Sequence, residues 1–316
     1  MEVEKKETQS KETIRRSERQ AFIDNLKFSL YLLRKNPLVM AGILMVVFFV
    51  VTALLSHVLV DPATAGVYDF SKNYGWSKDA WFQWGVQARI IDEFHVFGTD
   101  GWGRDILHMM ILALPLDLSI AVAIVSGAVA FGVCLGAVAG FVGGKLDEAI
   151  LRITDIFFAF PGLVLAMVFA AVFGRNMVSL VMAVLAVWWP VYVRLIRGQV
   201  LAEKERAYIQ ALKAAGLGRV RILFRHILPN TIYPILVQAT LDLGGVILTF
   251  SALMFLGFSP NPAMPELGNL ASDGIGHFFE APWLIVFPGL AILTIALAFN
   301  LLGDGLRDVL DPRLRR

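Results

Sequence analysis

The sequence predicts an all-α membrane protein with six transmembrane helices. Hydrophobic residues make up 57% of the 316 residues and charged residues only 17%, and the mean hydropathy is +0.67. Soluble domains are far less apolar than this. Apolar runs of about 20 residues or more, the length that crosses a bilayer, lie roughly at residues 38–60, 113–142, 153–174, 177–196, 231–257 and 283–303.

The first apolar run is interpreted as an uncleaved anchor. Residues 1–35 are polar and basic and form a predicted cytoplasmic tail. The segment at 36–61 is long enough to span, and its end lacks the small-residue cleavage site of a secretory signal. We therefore take it as the first transmembrane helix.

The distribution of Lys and Arg predicts that both termini lie in the cytoplasm. Nine precede the first helix, two separate the second and third, eight separate the fourth and fifth, and four follow the sixth, which accounts for 23 of the 28 in the chain. Cytoplasmic loops carry such an excess. The net charge of +2 is therefore a topology signal and indicates no nucleic-acid partner. The distribution of Lys and Arg places a loop at 203–230 and a tail at 304–316 on the cytoplasmic side of a five-helix core at 113–303.

Residues 62–112 form the largest predicted extracytoplasmic loop. Its aromatic residues are interleaved with Asp and Lys, and they are Tyr68, Phe70, Tyr74, Trp76, Trp81, Phe82 and Trp84. Aromatic side chains commonly anchor proteins at the bilayer interface. A docking surface for an external partner is the alternative, and the sequence leaves both open.

The second span contains a glycine stripe and the only cysteine. Gly132, Gly136, Gly140 and Gly144 recur every four residues, which predicts the close approach of another helix. Cys134 lies in the same span, so an intrachain disulfide, a zinc cluster and a CxxC redox site are all excluded. We expect it to be a packing residue.

Residues 203–230 are a charged, amphipathic segment between two apolar spans. One apolar face comprises Ala207, Tyr208, Ala211, Leu212 and Ala215, and a second comprises Val220, Leu223, Phe224 and Ile227. Both follow helical spacing, and Gly216 separates them. The pattern predicts two short helices joined at a glycine. A merely solvated loop is the alternative.

Within this loop, Gln210, Ala211 and Leu212, then Gly216, then Leu228 and Pro229, fit the spacing EAA-x3-G-x9-I-x-LP. On these residues the chain resembles the inner-membrane permease subunits of binding-protein-dependent ABC importers. It departs from their pattern at Gln210, where Glu is usual, and at His226, where an aliphatic residue is usual. The helix-glycine-helix pattern is unaffected by either departure.

The resemblance implies a set of residues that couple the permease to its ATPase. They are Glu203, Arg206, Tyr208, Gln210, Ala211, Gly216, Leu228 and Pro229. It also implies the six-helix permease fold in a lipid bilayer, one half of a pair with a second homologous permease subunit. Two ABC ATPase subunits and an extracytoplasmic substrate-binding protein complete the expected assembly.

The chain shows no nucleotide site of its own, which agrees with that division of labour. Gly143, Gly144 and Lys145 do not complete a phosphate-binding loop, because Ala139 stands where glycine is required and Leu146 where Ser or Thr is required. We therefore expect a transport subunit that is not an enzyme and needs no cofactor.

Two further motifs resemble the dipeptide, oligopeptide and nickel branch of these permeases. Residues 97–105 contain GTD-x2-GRD, and residues 257–262, 282–290 and 299–308 resemble the ending of the branch. Physically, Asp100 or Asp105 is expected to cap the helix that follows. The branch implies peptides as the cargo, with oligosaccharides or nickel as alternatives.

Asp242 is the ionisable residue deepest in a predicted span, about 17 Å from the cytoplasmic end of its helix. A charge at that depth costs about 2.5–3.5 kcal/mol on insertion scales. We expect it to face the translocation path, with a helix interface as the alternative. Asp117, Asp155, Arg194 and Arg197 lie nearer span ends, where snorkelling is expected.

Two other function classes fit the sequence less well than the importer. An ion-coupled secondary transporter would use an acid such as Asp242 and often has inverted repeats, but no repeat is evident and the loop at 203–230 would have no task. An intramembrane protease would need paired acids or a Ser-His arrangement, and Asp242 has no evident partner. The importer permease is the function that the sequence favours.

Overall fold

The computed structural model describes residues 34–60, 96–100 and 104–310. These residues form helices and turns, with one isolated β-bridge between Thr99 and Asp105. Predictions about the tail up to residue 33, the aromatic loop at 61–95 and the chain end at 311–316 fall on residues outside the described ranges.

The described chain contains ten α-helices, linked in places by short π-helical and 3-10 turns. They are α1 (Pro37–Leu59), α2 (Ile106–Val142), α3 (Gly144–Phe158), α4 (Gly162–Phe173), α5 (Met177–Lys204), α6 (Ala207–Ala214), α7 (Arg219–Ile222), α8 (Ile232–Leu253), α9 (Leu267–Asp273) and α10 (Trp283–Leu310). The π turns lie at Leu223–Ile227 and Met254–Phe258, and the 3-10 turns at Leu228–Thr231 and Ile275–His277.

Five of the described segments are long and apolar enough to cross a bilayer. They are Pro37–Leu59, Ile106–Val142, Met177–Lys204, Arg219–Phe258 and Trp283–Val309. The bent pair α3 and α4 makes a sixth if it counts as one span. The predicted all-α membrane class is confirmed, with five or six spans according to how that pair is counted.

The third apolar run, predicted as one helix at 153–174, is divided in two. α3 and α4 meet at 94°, and Pro161 between them has an extended ψ of 127°. Proline lacks an N–H and disfavours the helical conformation of the residue before it. The hydropathy is continuous across the break, which is why the apolar pattern alone missed it.

Two helices extend beyond their predicted apolar cores. α2 begins at Ile106 instead of residue 113, inside the predicted loop at 62–112, and the Asp105 carboxylate caps it by accepting from the His108 N–H at 3.0 Å. α10 continues to Leu310, into the predicted tail at 304–316. Hydropathy measures apolar length, whereas a helix starts at its cap.

The glycine stripe on α2 lies against the backbone of α5. A Cβ atom at Gly132 would come within 2.7 Å of the Trp189 carbonyl oxygen, and one at Gly136 within 2.5 Å of the Val193 carbonyl oxygen. The packing prediction is confirmed for these glycines. It is wrong for Gly144, which begins α3 with φ +65° and has no atom near its Cβ position.

Ion pairs join α3 to α5 near the end of the bundle that carries residues 203–230. The Arg197 guanidinium donates from Nε and Nη2 to the two Asp147 oxygens at 2.5 and 2.7 Å. Arg194 pairs with Asp155 at 2.6 Å, and both remain partly exposed. Asp117 contradicts the snorkelling prediction, because it is buried at 3% exposure.

At the opposite end of the bundle, the turn before α2 is bound to the segment between α8 and α10. The Arg104 guanidinium pairs with Asp100 and Asp273, and donates to the Ala263 carbonyl at 3.0 Å. The Trp283 indole N–H donates to the Thr99 carbonyl at 3.2 Å. These contacts fix α9 and the start of α10 against α2.

Candidate coupling loop and intramembrane acid

The loop at 203–230 begins at a buried carboxylate in the last turn of α5. Glu203 is 5% exposed, and both of its oxygens are bound. The Tyr208 hydroxyl donates to Oε1 at 2.6 Å, and the Arg206 Nε lies 2.8 Å from Oε2. Burial of a carboxylate without partners would cost several kcal/mol of desolvation free energy. The contacts with Tyr208 and Arg206 offset this cost and allow Glu203 to be buried.

Tyr208 extends this contact to the beginning of α8. The Asn230 amide donates to the Tyr208 hydroxyl oxygen at 2.8 Å and to the His226 carbonyl at 2.8 Å. We call Glu203, Arg206, Tyr208 and Asn230 the coupling network. It ties the end of α5, the helix α6 and the turn into α8 to one another.

The electrostatics of the coupling network keep Tyr208 a donor. Burial and the hydrogen bond to Glu203 raise the pKa of the Tyr208 hydroxyl. A phenol already titrates near pH 10, so the hydroxyl stays protonated at physiological pH. Tyr208 can therefore donate to Glu203 throughout the physiological pH range.

α6 is buried on a different face from the one that its small residues define. Ile209 is fully buried and packs in a cluster with Ile196, Val200 and Ile227. Ala207, Ala211 and Ala215 are exposed instead. The predicted stripe of small residues is thus an outward surface.

Gly216 ends α6 in the left-handed conformation, at φ +78°. The Gly216 N–H donates to the Lys213 carbonyl and the Leu217 N–H to the Leu212 carbonyl, as at a glycine helix cap. No atom lies within 4 Å of a Cβ position at Gly216. A side chain there would strain the backbone without a steric clash.

The second half of the loop is less regular than the predicted second helix. α7 is a single turn that runs through the π turn Leu223–Ile227 and the 3-10 turn Leu228–Thr231 into α8. Leu228 and Pro229 lie in that 3-10 turn. Val220 and Phe224, which were predicted on the apolar face, are 70% and 65% exposed.

A groove opens on the outer side of the loop between its two halves. It has a volume of about 610 Å³ and is lined by residues 215–221. Arg219, Val220 and Arg221 are exposed along it. The loop therefore offers a surface that combines exposed apolar and basic groups.

Gln210, which stands where the resembling family has Glu, binds within its own chain. Its side-chain amide donates to the Lys204 carbonyl at 3.2 Å, at the C-terminus of α5. An amide can donate in this way, whereas an ionised carboxylate cannot. Through this contact, the glutamine at position 210 has a structural role at the junction of α5 and α6.

Asp242 lies at a helix interface in the middle of α8. It is 6% exposed, and its Oδ1 accepts from the Gln238 amide at 2.9 Å. Its Oδ2 and the Tyr192 hydroxyl have no hydrogen-bond partner among the described residues. Tyr192 itself is fully buried on α5. The role of Asp242 in the translocation path remains a prediction.

Comparison with known proteins identifies the family. Residues 132–316 match the family described as "Binding-protein-dependent transport system inner membrane component". The chain belongs to this family. It is 38% identical over 283 residues to the "Dipeptide transport system permease protein DppC" of Alkalihalophilus pseudofirmus, covering 90% of this chain and 88% of that one. It is 40% identical to the "Glutathione transport system permease protein GsiD" of Pectobacterium atrosepticum, covering 70% and 73%.

Family membership confirms the predicted class of function. The chain is a multi-pass membrane permease subunit of an ABC importer, a transport subunit and not an enzyme. A permease of this family works with an ATPase and with a substrate-binding protein. The dipeptide permease DppC of Haemophilus influenzae is also similar, with 40% identity over 75% of this chain and 78% of that one.

The structure adds two permease residues that the sequence did not single out. Asn230 belongs to the coupling network, and Lys204 donates from Nζ to the Gly140 carbonyl of α2 at 3.0 Å. Lys204 lies near the C-terminus of α2, where a cation is favoured by the helix dipole. The position of Asn230 directly after Pro229 was the one available signal, since Asn commonly bonds to nearby backbone at turns.

Proposed function

We propose that this permease imports short peptides. Its relatives are named for dipeptides and for glutathione, which is itself a short peptide, and the chain aligns with the dipeptide permeases over most of their length. Oligosaccharides and nickel, which the branch resemblance also implies, are the alternatives. A binding protein on the extracytoplasmic side delivers the cargo.

We further propose that the loop at 203–230 transmits the movement of the ATPases to the spans. The observation that carries this proposal is the coupling network, which connects α6 to the ends of both α5 and α8. The exposed surface of Ala211 and Gly216 would dock in a groove of the ATPase. A displacement of α6 would then pull on α5 and α8 together and rock the bundle between two states.

The complete importer in this proposal pairs the chain with a second homologous permease subunit. Two ATPase subunits bind below them at the predicted cytoplasmic face. Leu228 and Pro229 would end the docking surface, and Arg206 would lie beside it. Asp242 would lie on the translocation path once the second permease completes that path.

A substitution at Gly216 tests the coupling proposal. Valine at this position strains the left-handed backbone at the end of α6, so Gly216→Val combined with Ala211→Asp is expected to abolish uptake while membrane insertion stays normal. Gly198→Val is the matched control, because that glycine on α5 also has open space at its Cβ position but not the left-handed backbone. Undiminished uptake by the double variant would contradict the coupling role.

The cargo is tested on the reconstituted importer with its ATPases and its binding protein. ATP hydrolysis is measured with the binding protein loaded in turn with dipeptides, glutathione, an oligosaccharide or nickel ions. We expect stimulation by the peptides. If only the oligosaccharide or only nickel stimulated ATP hydrolysis, that ligand would be the cargo in place of peptides. The coupling proposal would stay intact.

A further inference from the structure

Two buried carboxyl groups converge on the first turn of α9, away from the coupling loop. Asp117 on α2 accepts from the Leu267 N–H through Oδ2 at 3.2 Å. Glu266 accepts from the Asn269 N–H through Oε2 at 2.7 Å and from the Ser251 hydroxyl through Oε1 at 3.1 Å. Because both carboxyls bind amides of the same short turn, they lie close to each other.

Both carboxyl groups are excluded from solvent. Asp117 is 3% exposed and Glu266 is fully buried. Three of their four oxygens accept hydrogen bonds from α9 or α8. The fourth, Asp117 Oδ1, is buried and has no partner among the described residues. An isolated charged oxygen in such a place is costly, whereas a protonated one is not.

The described surroundings offer this pair no neutralising cation. On α2 and the turn before it, Arg104 is engaged by Asp100 and Asp273, and His108 is exposed. α8 contributes only Asp242, nine residues before Ser251. In the turn after α9, His277 lies 3.9 Å from Glu280, and the ionisable residues of α10 lie at its far end. No ion pair within the described ranges includes Asp117 or Glu266. Two adjacent carboxylates without a cation cannot both remain ionised.

We propose that Asp117 and Glu266 form a carboxyl pair that holds one proton. The proton is shared between Asp117 Oδ1 and the Glu266 carboxyl group, which satisfies the one unpartnered oxygen. In this form the pair fastens α9 to α2, and with it the segment between α8 and α10. The site binds a proton and no larger ligand. It is independent of the coupling loop and of the identity of the cargo.

The proton-bound pair makes the stability of the permease depend on pH. Burial raises the pKa of Glu266 to about 7 from its ordinary value of 4.5. The folded protein therefore binds more protons than the unfolded chain between these values, and stability falls as pH rises across that window. Asp273 adds to the same trend, because burial raises its pKa to about 6.

The test measures thermal unfolding of the full chain in its purified importer complex, from about pH 5 to about pH 8. Asp117→Asn replaces the protonated acid with an amide that can still accept from the Leu267 N–H and donate to Glu266. We expect this variant to fold. Because the new amide donates to the ionised Glu266 carboxylate and favours that form, the variant should lose part of the decrease in unfolding midpoint that the unmodified protein shows as pH rises. Asp308→Asn, at an exposed position of α10, is the matched control and should keep the full decrease.

Infrared difference spectroscopy provides a second measurement that does not depend on variant stability. The unmodified complex should show the C=O stretching band of a protonated carboxylic acid near neutral pH, and that band should weaken as pH rises. Asp117→Asn should lose a clear part of this band, while the contribution of Asp273 remains. An unchanged band in that variant, or a pH dependence of unfolding that Asp117→Asn leaves intact, would overturn the shared proton.

Discussion

The Tyr208 hydroxyl donates a 2.6 Å hydrogen bond to the buried Glu203 carboxylate. This single contact spans the junction between α5, which belongs to the membrane bundle, and α6, which lies outside it. The same hydroxyl oxygen accepts from Asn230, in the 3-10 turn that leads into α8. The Tyr208 side chain thus links α5, α6 and the turn into α8. Removal of its hydroxyl therefore tests whether a movement of α6 is transmitted to the other two.

We expect Tyr208→Phe to lower uptake several-fold more than it lowers ATP hydrolysis. The substitution leaves one Glu203 oxygen without its donor, at a cost of about 1–3 kcal/mol for a buried group, and it loosens α6 from α5 and α8. Tyr233→Phe is the control, because that tyrosine on α8 is 53% exposed. Equal losses of uptake and hydrolysis would mean that Tyr208 supports the fold and not the coupling.

Replacement of Gly136 tests the close contact of α2 and α5. A Cβ atom there would meet the Val193 backbone at 2.5 Å, and backbone cannot move aside as a side chain can. We expect Gly136→Ala to reduce the free energy of unfolding by about 1–3 kcal/mol, the usual cost of overpacking. The measurement is thermal unfolding in detergent. Gly198→Ala, with open space at its Cβ position, should be neutral or slightly stabilising.

The pair formed by Arg197 and Asp147 is expected to contribute more than a surface ion pair does. Its two hydrogen bonds fasten α3 to α5, and the side chains are only 28% and 14% exposed. A double-mutant cycle with Arg197→Gln and Asp147→Asn should give a coupling energy above the roughly 0.2–1 kcal/mol typical of exposed pairs. The same cycle on Arg152 and Glu148, an exposed pair at 3.6 Å, supplies the comparison. Equal values in the two cycles would show that the second hydrogen bond adds nothing.

Substitutions at Asp242 separate a role in transport from a role in packing. Asp242→Asn retains an oxygen that can accept from Gln238, so the fold should be preserved and the unfolding midpoint should change little. If the carboxylate charge serves the translocation path, uptake by this variant falls at least several-fold. Uptake equal to that of the unmodified protein would restrict Asp242 to the interface with Tyr192. Gln238→Leu, which removes the donor and keeps the charge, completes the comparison.

Local pattern was enough to predict those parts of the fold that depend on one segment at a time. The apolar runs identified the membrane helices, and the spacing of Gly132 and Gly136 predicted a close helix contact. The break at Gly216 followed from a glycine between two amphipathic patterns, and Asp105 caps α2 as its position before the helix indicated. Each of these features arises from residues within a few turns of one another.

Other features required the packed structure. The 94° bend between α3 and α4 was hidden by continuous hydropathy. The inward face of α6 is set by Ile209, while the alanine stripe faces outward, because a short helix can be amphipathic in more than one direction and tertiary contacts select among them. Asn230 acquired its role only when the chain brought it to Tyr208.

The sequence by itself determined the membrane class, the family resemblance and the location of the candidate coupling loop. These follow from the amino-acid composition and from motifs that are defined by the spacing of residues in the sequence. Tertiary structure alone decided which charges meet. Asp117 and Glu266 are 149 positions apart in the sequence and share one helix turn in the fold. Burial, which no local pattern sets, then makes their protonation a property of the folded protein.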